Sequence, residues 1–105
     1  MESWEYEKIK AILELNGKIE DLKVSTLSFS KFIDKLKSNG FDEHNHHFGR
    51  YREVHSLRKG DIHVMLEKTN KYHKLSIHKD IFDNEKHRAV NLDGKEIEFI
   101  LNLLK

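Results

Sequence analysis

Between Ile62 and Ile77 the apolar residues fall on every second position, and that alternation leaves few folds open to this chain. Ile62, Val64 and Leu66 alternate with His63, Met65 and Glu67, and Leu75 and Ile77 resume the period beyond Asn70-Lys71. Successive side chains of an extended strand point to opposite faces, so a period of two marks a strand with one face buried and one in water. A two-residue turn at Asn70-Lys71 sets Thr69 opposite Tyr72, Leu66 opposite Leu75 and Val64 opposite Ile77. Turn chemistry and apolar pattern agree on an antiparallel hairpin. A third strand precedes it, from Tyr51 to the turn at Lys59-Gly60. A two- or four-residue loop there puts His55 and Leu57 on the core face, whereas a three- or five-residue loop puts Val54 there instead.

Helical spacing flanks this sheet. Residues 4–16 read as a first helix, with Ser3 as N-cap, Ile9, Ile12 and Leu13 on one side, and Asn16-Gly17 as a left-handed stop. Ser28 or Ser30 caps a second helix with Phe29, Phe32, Ile33 and Leu36 as its stripe. Asn39-Gly40 closes it, and Phe41 takes the hydrophobic position of a Schellman motif. Asp93-Gly94-Lys95-Glu96 is a D-x-x-E capping box, followed by the stripe Ile97, Ile100, Leu101 and Leu104. Lys18–Val24 fits neither period and reads as a connector or short strand, and residues 80–92 read as a polar connection. The expectation is one α+β domain over residues 1–105: a three-stranded antiparallel sheet packed on one face by helices, with an extra N-terminal helix.

Composition narrows the chemistry. The 105 residues include no cysteine, which excludes disulfides, thiolate metal sites and a cysteine nucleophile. Five glycines and no glycine-flanked serine leave neither a phosphate-cradling loop nor a nucleophile elbow. The acidic start Met1-Glu2-Ser3-Trp4-Glu5 is no signal peptide, and runs such as Phe99-Ile100-Leu101 are far short of a membrane span. The expected location is cytoplasmic, with no membrane partner.

Charge is nearly balanced, 19 basic residues against 18 acidic, but unevenly spread. Eight basic residues and three acidic ones lie between Arg50 and Lys79, and all eight histidines fall between His44 and His87. A metal site would need three ligands converging on one point, with His44, His46, His47 and His63 as the candidates. No H-x-x-x-H pair lies on a predicted helix, so the plainer reading is a polar loop and a solvated sheet face. No metal and no cofactor are expected. The remaining constellation is the basic sheet face. Arg50, Arg52, Arg58, Lys59, Lys71 and Lys74 would neutralise phosphates, while Tyr72 and His78 would stack on bases.

The predicted order helix–strand–strand–strand–helix from Phe29 to Leu104 resembles the HicA-type mRNA interferases, small domains with a double-stranded-RNA-binding-like fold. Phe32–Phe41 (FIDKLKSNGF) is similar to their first helix ending in Gly-Phe. Arg58-Lys59-Gly60-Asp61-Ile62-His63 is similar to their basic stretch running into Gly-Ser-His, with Asp61-Ile62 intervening here. Leu75-Ser76-Ile77-His78 is similar to the third strand, and Gly94–Leu104 to the closing helix. The resemblance implies an RNA-facing domain, a metal-independent ribonuclease of toxin type, with His63 as catalytic acid or base beside Arg58 or Lys59. The alternative is a non-enzymatic protein-binding module, antitoxin-like, an immunity protein or a phage-encoded inhibitor, using Trp4, Tyr6 and the acidic first helix. A homodimer through a strand edge or that helix is compatible with both.

Overall fold

The computed structural model describes residues 3–24 and 29–104, and the side chains of those residues except 3–5, 24 and 29. The elements in chain order are α1 (Ser3–Asn16), β1 (Ile19–Val24), α2 (Phe29–Ser38), β2 (Asp42–Phe48), β3 (Arg52–Lys59), β4 (Ile62–Thr69), β5 (His73–Asp83), β6 (Lys86–Val90) and α3 (Gly94–Leu104). The α+β class is as expected, but the sheet is six-stranded rather than three-stranded. Its order is β1-β5-β4-β3-β2, all antiparallel, with β6 paired to β5. Ile77 pairs with both Val64 and Ile19, and Lys79 with both Ile62 and Val90. β1 and β6 therefore follow one another along the same side of the long strand β5.

Each of the three additional strands lacks the apolar alternation that betrays a half-buried strand. β2 is an edge strand whose residues are almost all exposed. β1 carries a bulge between Ile19 and Leu22, which breaks its period. β6 closes on β5 through Asn84 and Glu85, at φ 47° and 68°. Two successive left-handed residues make the tight turn whose twist suits a hairpin, and Asn-Glu is not the usual signal for it. The segment 29–104 thus runs helix, five strands, helix. Both β1 and β2 are bulged at the sheet's outer sides, which discourages pairing with another strand edge.

The central hairpin has the register read from its apolar pattern, Leu66 against Leu75 and Val64 against Ile77. Its turn is held by Thr69, whose Oγ1 accepts the N–H groups of Lys71 (3.2 Å) and Tyr72 (3.1 Å). Lys59 pairs with Ile62, so the preceding loop is the two-residue Gly60-Asp61 and it is His55 and Leu57 that face the core. Gly60 takes φ 61°, as the first central position of such a hairpin requires.

All three helices cover this one face. Ile62, Val64, Leu66, Leu75 and Ile77 are buried in one cluster with Phe32, Leu36, Ile100 and Leu104. α3 starts with a reciprocal capping box: Glu96 N–H donates to Asp93 Oδ1 and Asp93 N–H to Glu96 Oε1, both at 2.9 Å. α2 ends as its Asn-Gly-Phe sequence implies. Gly40 has φ 91°, Phe41 N–H donates to Leu36 O at 3.0 Å, and the Phe41 ring stacks on Phe99. Ser28, one of the two expected caps of α2, lies outside the described residues. Among the described residues no helix is long and apolar enough to cross a membrane.

One polar cluster is built into the helix-facing side. His55 is 8% exposed, with Nδ1 2.5 Å from Glu43 Oε2 and Nε2 2.9 Å from Glu53 Oε1. Both ring nitrogens face carboxylates, and only the imidazolium can donate to both. Burial pulls the His55 pKa down, but the hydrogen bonds to Glu53 and Glu43 outweigh it and hold His55 above its ordinary value. Burial likewise pushes Glu43 up, and its bond to His55, aided by Lys37, outweighs that and holds it below the usual carboxylate value. A raised His55 stabilises the fold fully below its unfolded pKa of about 6.5 and ceases to do so as pH rises through its folded pKa. A lowered Glu43 stabilises above its unfolded value and ceases to do so as pH falls through its folded one. The pair, with His46 beside it on β2, therefore contributes most between those limits. In urea unfolding, His55→Gln is expected to destabilise the protein more at about pH 5.5 than at about pH 9. An equal loss at both pH values would contradict the charged pair.

Candidate functional site

The sheet face opposite the helices carries no helix among the described residues, and its side chains pair with one another across strands. Alternation places Arg58, His63, Met65, Glu67, Lys74, Ser76, His78 and Asp80 on this side, as the hairpin register implies. His87 joins them from β6, because its partner Phe82 lies two residues beyond Asp80.

Apart from Lys59 and Lys74, the predicted residues divide into two groups at opposite ends of this face. At one end stand Arg58, His63 and His78. His63 and His78 are paired in register and their rings stack at 5.2 Å. Arg58 Nε donates to His63 Nε2 at 2.8 Å, and its Nη2 meets the same nitrogen. Burial, then the charge of Arg58, hold the His63 imidazole below the ordinary histidine value, with Asp80 pulling the other way. At the other end, about six residues along β4 and so roughly 20 Å away, stand Arg50, Arg52, Lys71 and Tyr72. Arg50 and Lys71 are exposed in the β2–β3 and β4–β5 turns. The Arg50 guanidinium lies 5.5 Å from the centre of the Tyr51 ring.

Much of the expected positive charge is already matched. Arg52 Nε donates to Glu67 Oε2 at 2.5 Å, and Tyr72 Oη donates to Glu67 Oε1 at 3.2 Å. Lys74 Nζ is 3.2 Å from Asp21, whose hydrogen bond leads the causes that raise the Lys74 pKa. Lys59 is on the helix side. Its Nζ donates to Asn39 O at 2.8 Å and lies 4.4 Å from the centre of the Phe99 ring, so it supports the end of α2. Lys59 therefore does not join Arg58 on the open face, because neighbouring strand residues point to opposite sides.

Three residues at the site were not singled out by sequence reasoning. Asp80 lies at the centre: its Oδ2 is 3.2 Å from His63 Nε2, 3.3 Å from His78 Nε2 and 3.6 Å from His87 Nε2. His87 and Phe82 are the others, and Phe82 is 73% exposed. The signal for Asp80 was the spacing His78-x-Asp80 on one strand, which puts both on one face. It was hidden because residue 80 read as the start of a loop. The sequence cluster His44, His46 and His47 is instead dispersed. β2 bulges at His44, which approaches His63 edge-on at 5.8 Å. His46 pairs with His55 and His47 with Val54, so these two take opposite faces. Of the material for a protein-binding surface, Tyr6 packs against the core and the side chain of Trp4 lies outside the described residues.

No family model, no curated protein and no solved structure matches the chain.

Proposed function

We propose that the chain is an RNA-facing domain that binds single-stranded RNA across the helix-free face of its sheet. The observation that carries this reading is the conjunction on one bare face of Arg58, the His63–His78 stack and the exposed ring of Phe82. Guanidinium and imidazole groups suit phosphate oxygens, and a solvent-facing ring gives an unpaired base a surface to stack on. Exposed Tyr51 under Arg50 supplies similar chemistry at the far end. The resemblance to mRNA interferases points to the same ligand class.

Binding at this face does not depend on cleavage by His63. His63 Nε2 already accepts from Arg58 and faces Asp80, so a proton-transfer role would require that arrangement to open. Of the predicted cations, Arg52 and Lys74 are matched internally and Lys59 is on the helix side, which leaves Arg58, Lys71 and Arg50 for phosphates. Two or three phosphate contacts on a single strand give a slope of log affinity against log salt of roughly −1.4 to −2.1. Fluorescence anisotropy with a labelled short RNA, read from low to physiological salt, is expected to give such a slope. Salt-independent binding, or none, would leave the protein-binding alternative as the better account.

A further inference from the structure

His63 Nε2, His78 Nε2 and Asp80 Oδ2 converge as ligands would, and this is independent of any RNA. We propose that the open face holds a divalent transition-metal ion of the Zn²⁺ type, bound by His63, His78 and Asp80, with the fourth position left to water.

The donor set fits first. Neutral imidazoles with one carboxylate suit zinc, nickel and similar ions. The ligand atoms of His63, His78 and Asp80 all lie within 4.8 Å of one another. Around an ion with bonds of about 2.0–2.1 Å, neighbouring tetrahedral ligands sit roughly 3.3–3.4 Å apart. The separations of 3.2 and 3.3 Å from Asp80 Oδ2 to His63 Nε2 and His78 Nε2 match that edge.

One contact in the cluster is not a hydrogen bond. His63 Nε2 accepts from Arg58, so it presents a lone pair and has no proton to give Asp80. Two acceptors then face each other at 3.2 Å, and a cation between them removes the repulsion. The ligands are also well positioned. They come from the paired strands β4 and β5, His63 and His78 are registered partners, and the side chains of His63 and Asp80 are only 16% and 12% exposed. His87 is half-exposed and flanks the site from β6, 3.6 Å from Asp80 Oδ2. Metal at His63 Nε2 displaces the guanidinium of Arg58 from that nitrogen, because the ion and the donor compete for one lone pair.

The test is calorimetric titration of untagged, chelator-stripped protein with ZnCl₂, backed by the visible spectrum of bound Co²⁺, with no RNA present. One equivalent is expected, with a tetrahedral cobalt spectrum. Asp80→Asn and His63→Ala are each expected to weaken binding roughly tenfold or more, and thermal melts show that both variants are folded. Arg58→Gln is expected to bind the ion more tightly, having lost the competing donor and its charge. The double change His46→Ala and His47→Ala is expected to bind as the native chain does. Absence of binding, affinity unchanged from the native chain in Asp80→Asn or His63→Ala, or loss of binding in the His46/His47 variant would each overturn the proposal. None of these outcomes bears on RNA binding, so the two readings fail separately.

Discussion

Replacing Leu66 by alanine is expected to cost the domain about 2–5 kcal/mol. Leu66 is fully buried at the middle of β4, between His55 on β3 and Leu75 on β5. Its side chain lies under the helices, in the cluster that includes Phe32 and Ile100. Truncation removes the favourable transfer of its apolar atoms and leaves a cavity that strands tied on both sides cannot close. Domains of this size are stable by roughly 5–15 kcal/mol, so the loss is a large share of the total. Urea or thermal unfolding measures it, and a loss of at least ~2 kcal/mol corresponds to a fall of roughly 8 °C or more in Tm. Met65, the next residue, is 43% exposed on the opposite face. Its truncation should have little effect, and equal losses at the two positions would contradict the assigned faces.

The parts of the fold legible in the sequence are those where burial imposes a period. β3, β4 and β5 pack one face on helices; alternation carries strand identity and register in β4 and β5, whereas the register of β3 also needed the length of the Gly60-Asp61 loop. The capping box at Asp93 and Glu96, and the Asn-Gly-Phe end of α2, were legible because backbone groups at helix ends need specific side-chain partners. β2 and β6 were not legible, because a strand without a buried face has no hydrophobic period to show. Their residues join the sheet through backbone hydrogen bonds, which any sequence without proline can supply.

The site was half legible for the same reason. The hairpin register alone puts His63 and His78 side by side on the open face. Asp80 and His87 required the extension of β5 past its pairing with β4 and the existence of β6. Neighbouring histidines in sequence misled in the opposite direction, since alternation separates His46 from His47. A count of charges along the chain does not show which of them pair in space. The acids that match Arg52 and Lys74 are Glu67, on the neighbouring hairpin strand, and Asp21, which comes from the sheet's first strand.

A matched pair of charge reversals decides whether the helix-free face touches RNA. Arg58→Glu changes the open face, whereas Lys31→Glu makes the same change in net charge on an exposed position of α2. A charge-assisted hydrogen bond is worth about 1.5–3 kcal/mol, so loss of one phosphate contact weakens binding roughly ten- to a hundredfold. The account predicts that fall for Arg58→Glu in the RNA anisotropy titration, with a salt slope shallower by about 0.7. Chelator is present throughout, so that metal occupancy does not enter. Lys31→Glu should bind nearly as the native chain does. If the two reversals weaken binding equally, or if Lys31→Glu has the larger effect, the open face is not where RNA binds.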